Sequence, residues 1–112
     1  MECIRIYALE GMRHAGEPVR EWLFGLARKA GVEGGTAFRA CAGFGRHGVH
    51  EDHFFELAGE LPECIEFYAR PERVDALLAA VSAARVRLFH VRHAVRVGVT
   101  GDPHGVRQSE SD

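Results

Sequence analysis

Residues 62–81, PECIEFYARPERVDALLAAV, decide the fold. Cys64, Glu66 and Tyr68 alternate with Ile65 and Phe67, the period of a strand whose two faces meet different surroundings. Pro62 suits the first position of that strand, where its missing N–H removes no ladder bond. Pro71 suits the first turn of a helix for a similar reason. Val74, Leu77, Leu78 and Val81 then form one apolar stripe, so the helix must lie on an apolar surface. A strand leading straight into a helix asks for a second strand beyond it. Val86 to Val99 supplies a strand-like run, broken lightly at His93-Ala94.

The same order appears upstream. Residues 3–9, CIRIYAL, put Ile4 and Ile6 on one face of a strand and Arg5 and Tyr7 on the other. Residues 10–17 hold Gly11, Gly16 and polar groups and read as a loop. Pro18 opens a helix whose stripe is Val19, Trp22, Leu23, Leu26, Ala27 and Ala30, with Arg28 and Lys29 in the last turn and Gly31 just past the end. Gly34-Gly35 starts a strand from Thr36 to about Ala42. Gly43-Phe44-Gly45-Arg46-His47-Gly48 interrupts it, and Val49 to about Leu57 returns as an arm.

The sequence thus predicts strand, helix, strand, strand, helix, strand: an α+β, ferredoxin-like βαββαβ sandwich with two helices on one face of an antiparallel sheet. One domain spans residues 1–100, and residues 101–112 form a polar, flexible tail. The uncovered sheet face keeps Tyr7, Phe38 and Phe89. Such an apolar patch predicts a homo-oligomer packed sheet against sheet.

Composition narrows the function. The chain has 112 residues, 46% hydrophobic and 27% charged, with a net charge of −2. A nucleic-acid partner would call for a basic excess. No apolar run reaches the ~18 residues of a membrane span, and the N-terminus lacks a signal peptide's pattern. The expectation is a cytoplasmic protein without membrane insertion. Cys3, Cys41 and Cys64 are too scattered for a disulfide framework or zinc knuckle and read as three small buried hydrophobes.

The middle of the chain resembles the PII nitrogen-regulatory proteins. Gly43-Phe44-Gly45-Arg46 is similar to the segment that begins their long T-loop, and Leu61-Pro62 followed by Ile65-Glu66 to the strand after it. Ala94-Val95-Arg96-Val97 resembles the segment ending their core. The likeness is closest to a related branch, the family labelled domain of unknown function 190. It shares Ile6-Tyr7 with Glu10, Gly16 with Pro18, Ala27 to Thr36, and Gly43 to Gly45.

This resemblance implies a homotrimer with clefts between subunits. A small anionic ligand, in PII proteins an adenine nucleotide, would bind there, and a loop at residues 43–58 would respond and regulate a transporter or enzyme. Carried over residue by residue, the ligand site comprises Gly35, Thr36, Gly43, Phe44, Gly45, Arg46, Arg85 and Arg96. Arg85 stands where PII proteins carry a phosphate-binding lysine. One departure matters: Ser82-Ala83-Ala84-Arg85-Val86 has no glycine, whereas a phosphate cradle needs consecutive N–H groups turned inward, which glycine permits. Adenine nucleotides are therefore expected to bind weakly if at all.

The remaining chemistry-bearing residues are weighed against ordinary structural roles. His47, His50 and His53 form H-x-x-H-x-x-H, an alternative metal site like that of the CutA-type trimers sharing this fold. In an extended arm the three imidazoles diverge, so solvated histidines are the favoured reading. His90 and His93 would point to opposite faces of a strand. Arg39, Arg87 and Arg92 fit an ion-paired strand face beside Glu63 and Glu66; Arg46 and Arg96 fit an anion site. Glu10, Glu66 and Asp75 belong to no recognisable pair with a nucleophile or metal motif. The expectation is a binding protein rather than an enzyme, with no catalytic residue.

Overall fold

The computed structural model describes residues 1–43, 62–101 and 107–109. In chain order the elements are β1 (Glu2–Leu9), β2 (Arg13–His14), β3 (Glu17–Pro18), α1 (Val19–Lys29), β4 (Gly35–Arg39) and β5 (Pro62–Ala69). Then follow α2 (Pro71–Ala83), β6 (His90–Ala94), β7 (Val97–Val99) and β8 (Arg107–Ser109). The main sheet has four strands in the order β4-β5-β1-β6, each pair antiparallel. Two α–β crossovers and this order are compatible with the ferredoxin-like arrangement.

Side-chain alternation assigns the two faces. Opposed residues of an antiparallel pair share a face. The register Ala37↔Ile65 and Ile65↔Ile6 therefore defines the helix-covered side. Ile4, Ile6, Ile65 and Phe67 bury there against Leu23 of α1 and Val74 and Leu77 of α2, all essentially inaccessible. Each such side chain contributes about 1.5–3 kcal/mol by leaving water. Both helices begin at a proline as expected, with Pro18 flanking α1 and Pro71 opening α2.

The end of α1 is fixed by its last carbonyls. Val32 N–H donates to Ala27 O at 2.9 Å and Gly31 N–H to Arg28 O at 3.1 Å. This double bond pattern needs a left-handed residue at the turn, and Gly31 supplies it at φ 86°. Arg73 of α2 also donates to Gly31 O, tying the helices together.

The structure differs from expectation in four places. Residues 13–18 form a two-residue hairpin, β2–β3, with Ala15 and Gly16 both at positive φ, the turn type that matches strand twist. Strand β4 stops at Arg39, three residues early, because its partner β5 begins at Pro62; Ala40 N–H bonds Pro62 O at 2.9 Å as the last link. The run 86–99 divides. Its ladder with β1 covers only His90–Ala94, while Val86 and Leu88 pack against the core. Val97–Val99 pairs instead with Arg107–Ser109, so the polar segment after Thr100 contains a strand. Cys41 is exposed and Cys64 half-buried; only Cys3 is buried as expected. No described helix is long and apolar enough to cross a membrane.

Candidate functional site

The side of the sheet away from the helices carries two rows of side chains. One crosses the sheet as Phe38, Cys64 and Tyr7, with Phe89 beside Tyr7. Phe38 and Phe89 are each 51% exposed, and the rings of Tyr7 and Phe89 lie 5.8 Å apart. Tyr68, Val91 and Phe89 extend the apolar surface. The three residues expected on the face away from the helices, Tyr7, Phe38 and Phe89, therefore share it.

The second row is polar over three strands, Thr36, Glu66 and Arg5, and ends on Val91 of β6. Arg5 Nε donates to Glu66 Oε2 at 2.8 Å, and the Tyr68 hydroxyl donates to Glu66 Oε1 at 3.1 Å. Both oxygens of this nearly buried carboxylate are thus satisfied. The Arg5 bond holds its pKa below the ordinary value against the opposing effect of burial. Burial, then the nearby Glu66 charge, raises the Cys3 thiol, and burial raises Cys64. Neither thiol is poised as a nucleophile.

The residues expected to bind ligand fall on two opposite edges of the sheet. Gly35 and Thr36 lie on edge strand β4, and Gly43 follows it, exposed. Arg96 follows edge strand β6, and Arg85 precedes it at the end of α2. Three interstrand steps of ~4.8 Å place those edges roughly 14 Å apart. The register further sorts them by end. Gly35 is level with Phe67, Ile4 and Arg92, and Arg96 lies just past Val95, whose N–H bonds Met1 O at 3.1 Å. Gly43 and Arg85 belong to the other end, near Leu9 and Pro62. Among the described residues, Gly35 and Thr36 at one edge are thus separated from Arg96 at the other. Phe44, Gly45, Arg46, His47, His50 and His53, with the rest of the 43–58 loop beyond Gly43, lie outside the described residues.

Arg85 stands out in conformation: its φ is 61°, and its N–H closes on Ser82 O at 2.9 Å. A non-glycine residue at this left-handed position costs about 1–2 kcal/mol. The loop without glycine thus adopts the left-handed turn that a glycine would have adopted freely.

Beside Gly35 lies an open cleft of about 260 Å³, lined among others by Phe24, Arg28, Val32, Glu33 and Phe67. Gly35 is required there, since a Cβ would stand 2.4 Å from the Phe67 ring. Phe24 meets Phe67 edge to face at 6.0 Å. Phe24, Arg28 and Phe67 carry no sequence signal for this role; Arg28 reads only as a helix-end cation, and its place beside Gly35 depends on how α1 crosses the sheet.

The other candidates take structural parts. Glu10 pairs with Arg39 and Asp75 with Arg92, which also bonds Glu2. Arg39 and Arg92 are thus ion-paired, but not to the acids named for them: Glu63 is held by Arg20 at 2.7 Å and Glu66 by Arg5. His90 and His93 lie opposite Ile6 and Cys3, hence on opposite faces. Among the described residues no three potential metal ligands gather.

Comparison with known proteins identifies the family. The model of the DUF190 family, described as an uncharacterized ACR, matches residues 1–97. A UPF0166 protein of Aquifex aeolicus is 30% identical over 79 residues, 70% of this chain and 75% of the relative. A UPF0166 protein of Methanocaldococcus jannaschii is 29% identical over 75 residues, 67% and 69% of the two chains. With the expected sheet, the open aromatic face and a match over nearly the whole core, the chain belongs to the DUF190 family, a branch of the PII-like superfamily.

Proposed function

We propose that this protein is a PII-like regulatory protein, not an enzyme. It assembles as a homotrimer and binds a small anion in clefts between subunits. The supporting observation is the division of the candidate ligand residues between two edges of one sheet. Strands β4 and β6 run antiparallel to each other, since three antiparallel steps separate them. A neighbour whose β4 edge faces the β6 edge with sheets aligned therefore matches like ends. Gly35 and Thr36 then lie at the same end as Arg96, and Gly43 at the same end as Arg85. The exposed aromatic face gives the subunits apolar surface to bury. Arginine forks then carry the anion's charge, with no glycine-rich cradle for a triphosphate. A mononucleotide or a carboxylate metabolite fits this site at least as well as ATP.

Titration calorimetry with inorganic phosphate, AMP, citrate and ATP tests the reading, alongside light scattering for the trimer's mass. At least one of the smaller anions binds, and ATP binds no more tightly. Arg96→Ala weakens that binding by tenfold or more, since a charge-assisted hydrogen bond contributes about 1.5–3 kcal/mol. Anion binding indifferent to Arg96→Ala, or a monomer at micromolar concentration, refutes it.

A further inference from the structure

Arg28 and Glu33 are opposite charges left over on the rim of one cleft. Arg5, Arg20, Arg39 and Arg92 each hold a carboxylate. Arg28 and Glu33 are exposed, and among the described residues neither forms an ion pair or a side-chain hydrogen bond. Both line the open cleft of about 260 Å³ beside Gly35. The turn between them is fixed. Gly31 N–H bonds Arg28 O, Val32 N–H bonds Ala27 O, and Arg73 ties Gly31 O to α2. A hydrogen-bonded turn therefore presents a guanidinium and a carboxylate to one space without bringing them into contact with each other.

The rest of the lining is apolar or backbone. Phe24 and Phe67 meet edge to face, and Ala27 and Val32 lie beside them. Gly34 and Gly35 add no side chain. The volume falls below the ~300–1,000 Å³ of sites for drug-sized ligands, so the cleft suits a small metabolite. It opens on the helix-covered side of β4, where Gly35 meets the Phe67 ring. Thr36, the next residue of the strand, faces the other side with Glu66. The cleft shares Gly35 with the anion site proposed above but lies across the sheet from Thr36.

We propose that this cleft binds a free α-amino acid with a compact apolar side chain, leucine being the type. The α-carboxylate takes the guanidinium fork of Arg28. The α-ammonium faces the carboxylate of Glu33, and the side chain lies against Phe24 and Val32. The two charges act as a pair of tests. A plain carboxylate brings its charge toward Glu33 with nothing to offset it, and a plain amine does the same toward Arg28. Only a zwitterion answers both, and only an apolar side chain suits the wall between them. This inference does not rest on the function proposed above.

Titration calorimetry on the full chain tests this with L-leucine and with its two truncated analogues, isocaproate, which lacks the ammonium, and isoamylamine, which lacks the carboxylate. Leucine is expected to bind, and each analogue to bind at least tenfold more weakly. Arg28→Gln and Glu33→Gln, both at exposed positions that the fold does not depend on, should each weaken leucine by tenfold or more. Arg96→Ala should leave leucine binding unchanged while it weakens phosphate. No leucine binding at millimolar concentration overturns the proposal. So does an analogue that binds as tightly as leucine, or an affinity indifferent to either substitution in the cleft. Loss of leucine binding in Arg96→Ala would place the amino acid in the anion site and overturn it as well. Leucine binding without uptake of phosphate, AMP or citrate would leave this cleft standing and remove the proposed function, and anion uptake without leucine binding would do the reverse.

Discussion

Glu66 shows what a single side chain does on the open face. Its carboxylate is nearly buried, and its two oxygens are taken by Arg5 and Tyr68. Because its folded pKa is lowered, the stability it contributes is fully present above the ordinary carboxylate value of about 4.3 and is lost as pH falls through the lower folded value. Glu66→Gln is expected to cost about 1–3 kcal/mol near neutral pH. In urea titrations the gap to the parent protein should narrow at acid pH, and an equal gap at pH ~7 and pH ~3 would contradict this account. Arg85 makes the opposite trade. Its left-handed φ suits glycine, so Arg85→Gly is expected to raise stability by up to ~1 kcal/mol despite glycine's added freedom in the unfolded chain. Anion binding should weaken in the same variant. A destabilised Arg85→Gly protein would show that the guanidinium supports the fold instead.

At the scale of elements, much was legible in the sequence because each element carried its own signal. Pro18 and Pro71 marked helix starts, and Ile65 and Phe67 alternated cleanly with Cys64 and Glu66. Gly31 marked the end of α1, and the bond pattern there explains why. Gly31→Ala would hold a Cβ at φ 86° and within 3.1 Å of the Arg73 guanidinium. The expected loss is about 1 kcal/mol, read as a lower urea midpoint with unchanged slope, and an unchanged midpoint would mean that the turn relaxes. What the sequence did not show depended on partners distant along the chain. The run 86–99 read as one strand broken lightly at His93-Ala94, because Val97 and Val99 favour strands wherever they lie, yet the ladder to β1 ends at Ala94. The ion pairs were likewise misassigned. Whether Glu63 meets Arg20 or Arg39 is settled by how α1 crosses the sheet, which no local pattern states.

The whole molecule explains why the candidate site could be named but not assembled from sequence. Gly35, Thr36, Gly43, Arg85 and Arg96 were chosen by resemblance, which carries no distances. Only the strand order β4-β5-β1-β6 puts them on opposite edges, and that separation turns a list of residues into a claim about subunits. The claim is tested most directly by complementation between two defective chains. Thr36→Glu places a negative charge on the β4 edge, and Arg96→Ala removes the cation from the β6 edge. Each variant alone should fail to bind an anion that the parent protein takes up in calorimetry with phosphate, AMP or citrate. If clefts form between subunits, co-expression of the two restores about one intact cleft in four by random assortment, with the parent affinity at reduced stoichiometry. Mixed assemblies that recover no binding would place the whole site within one chain and contradict the account.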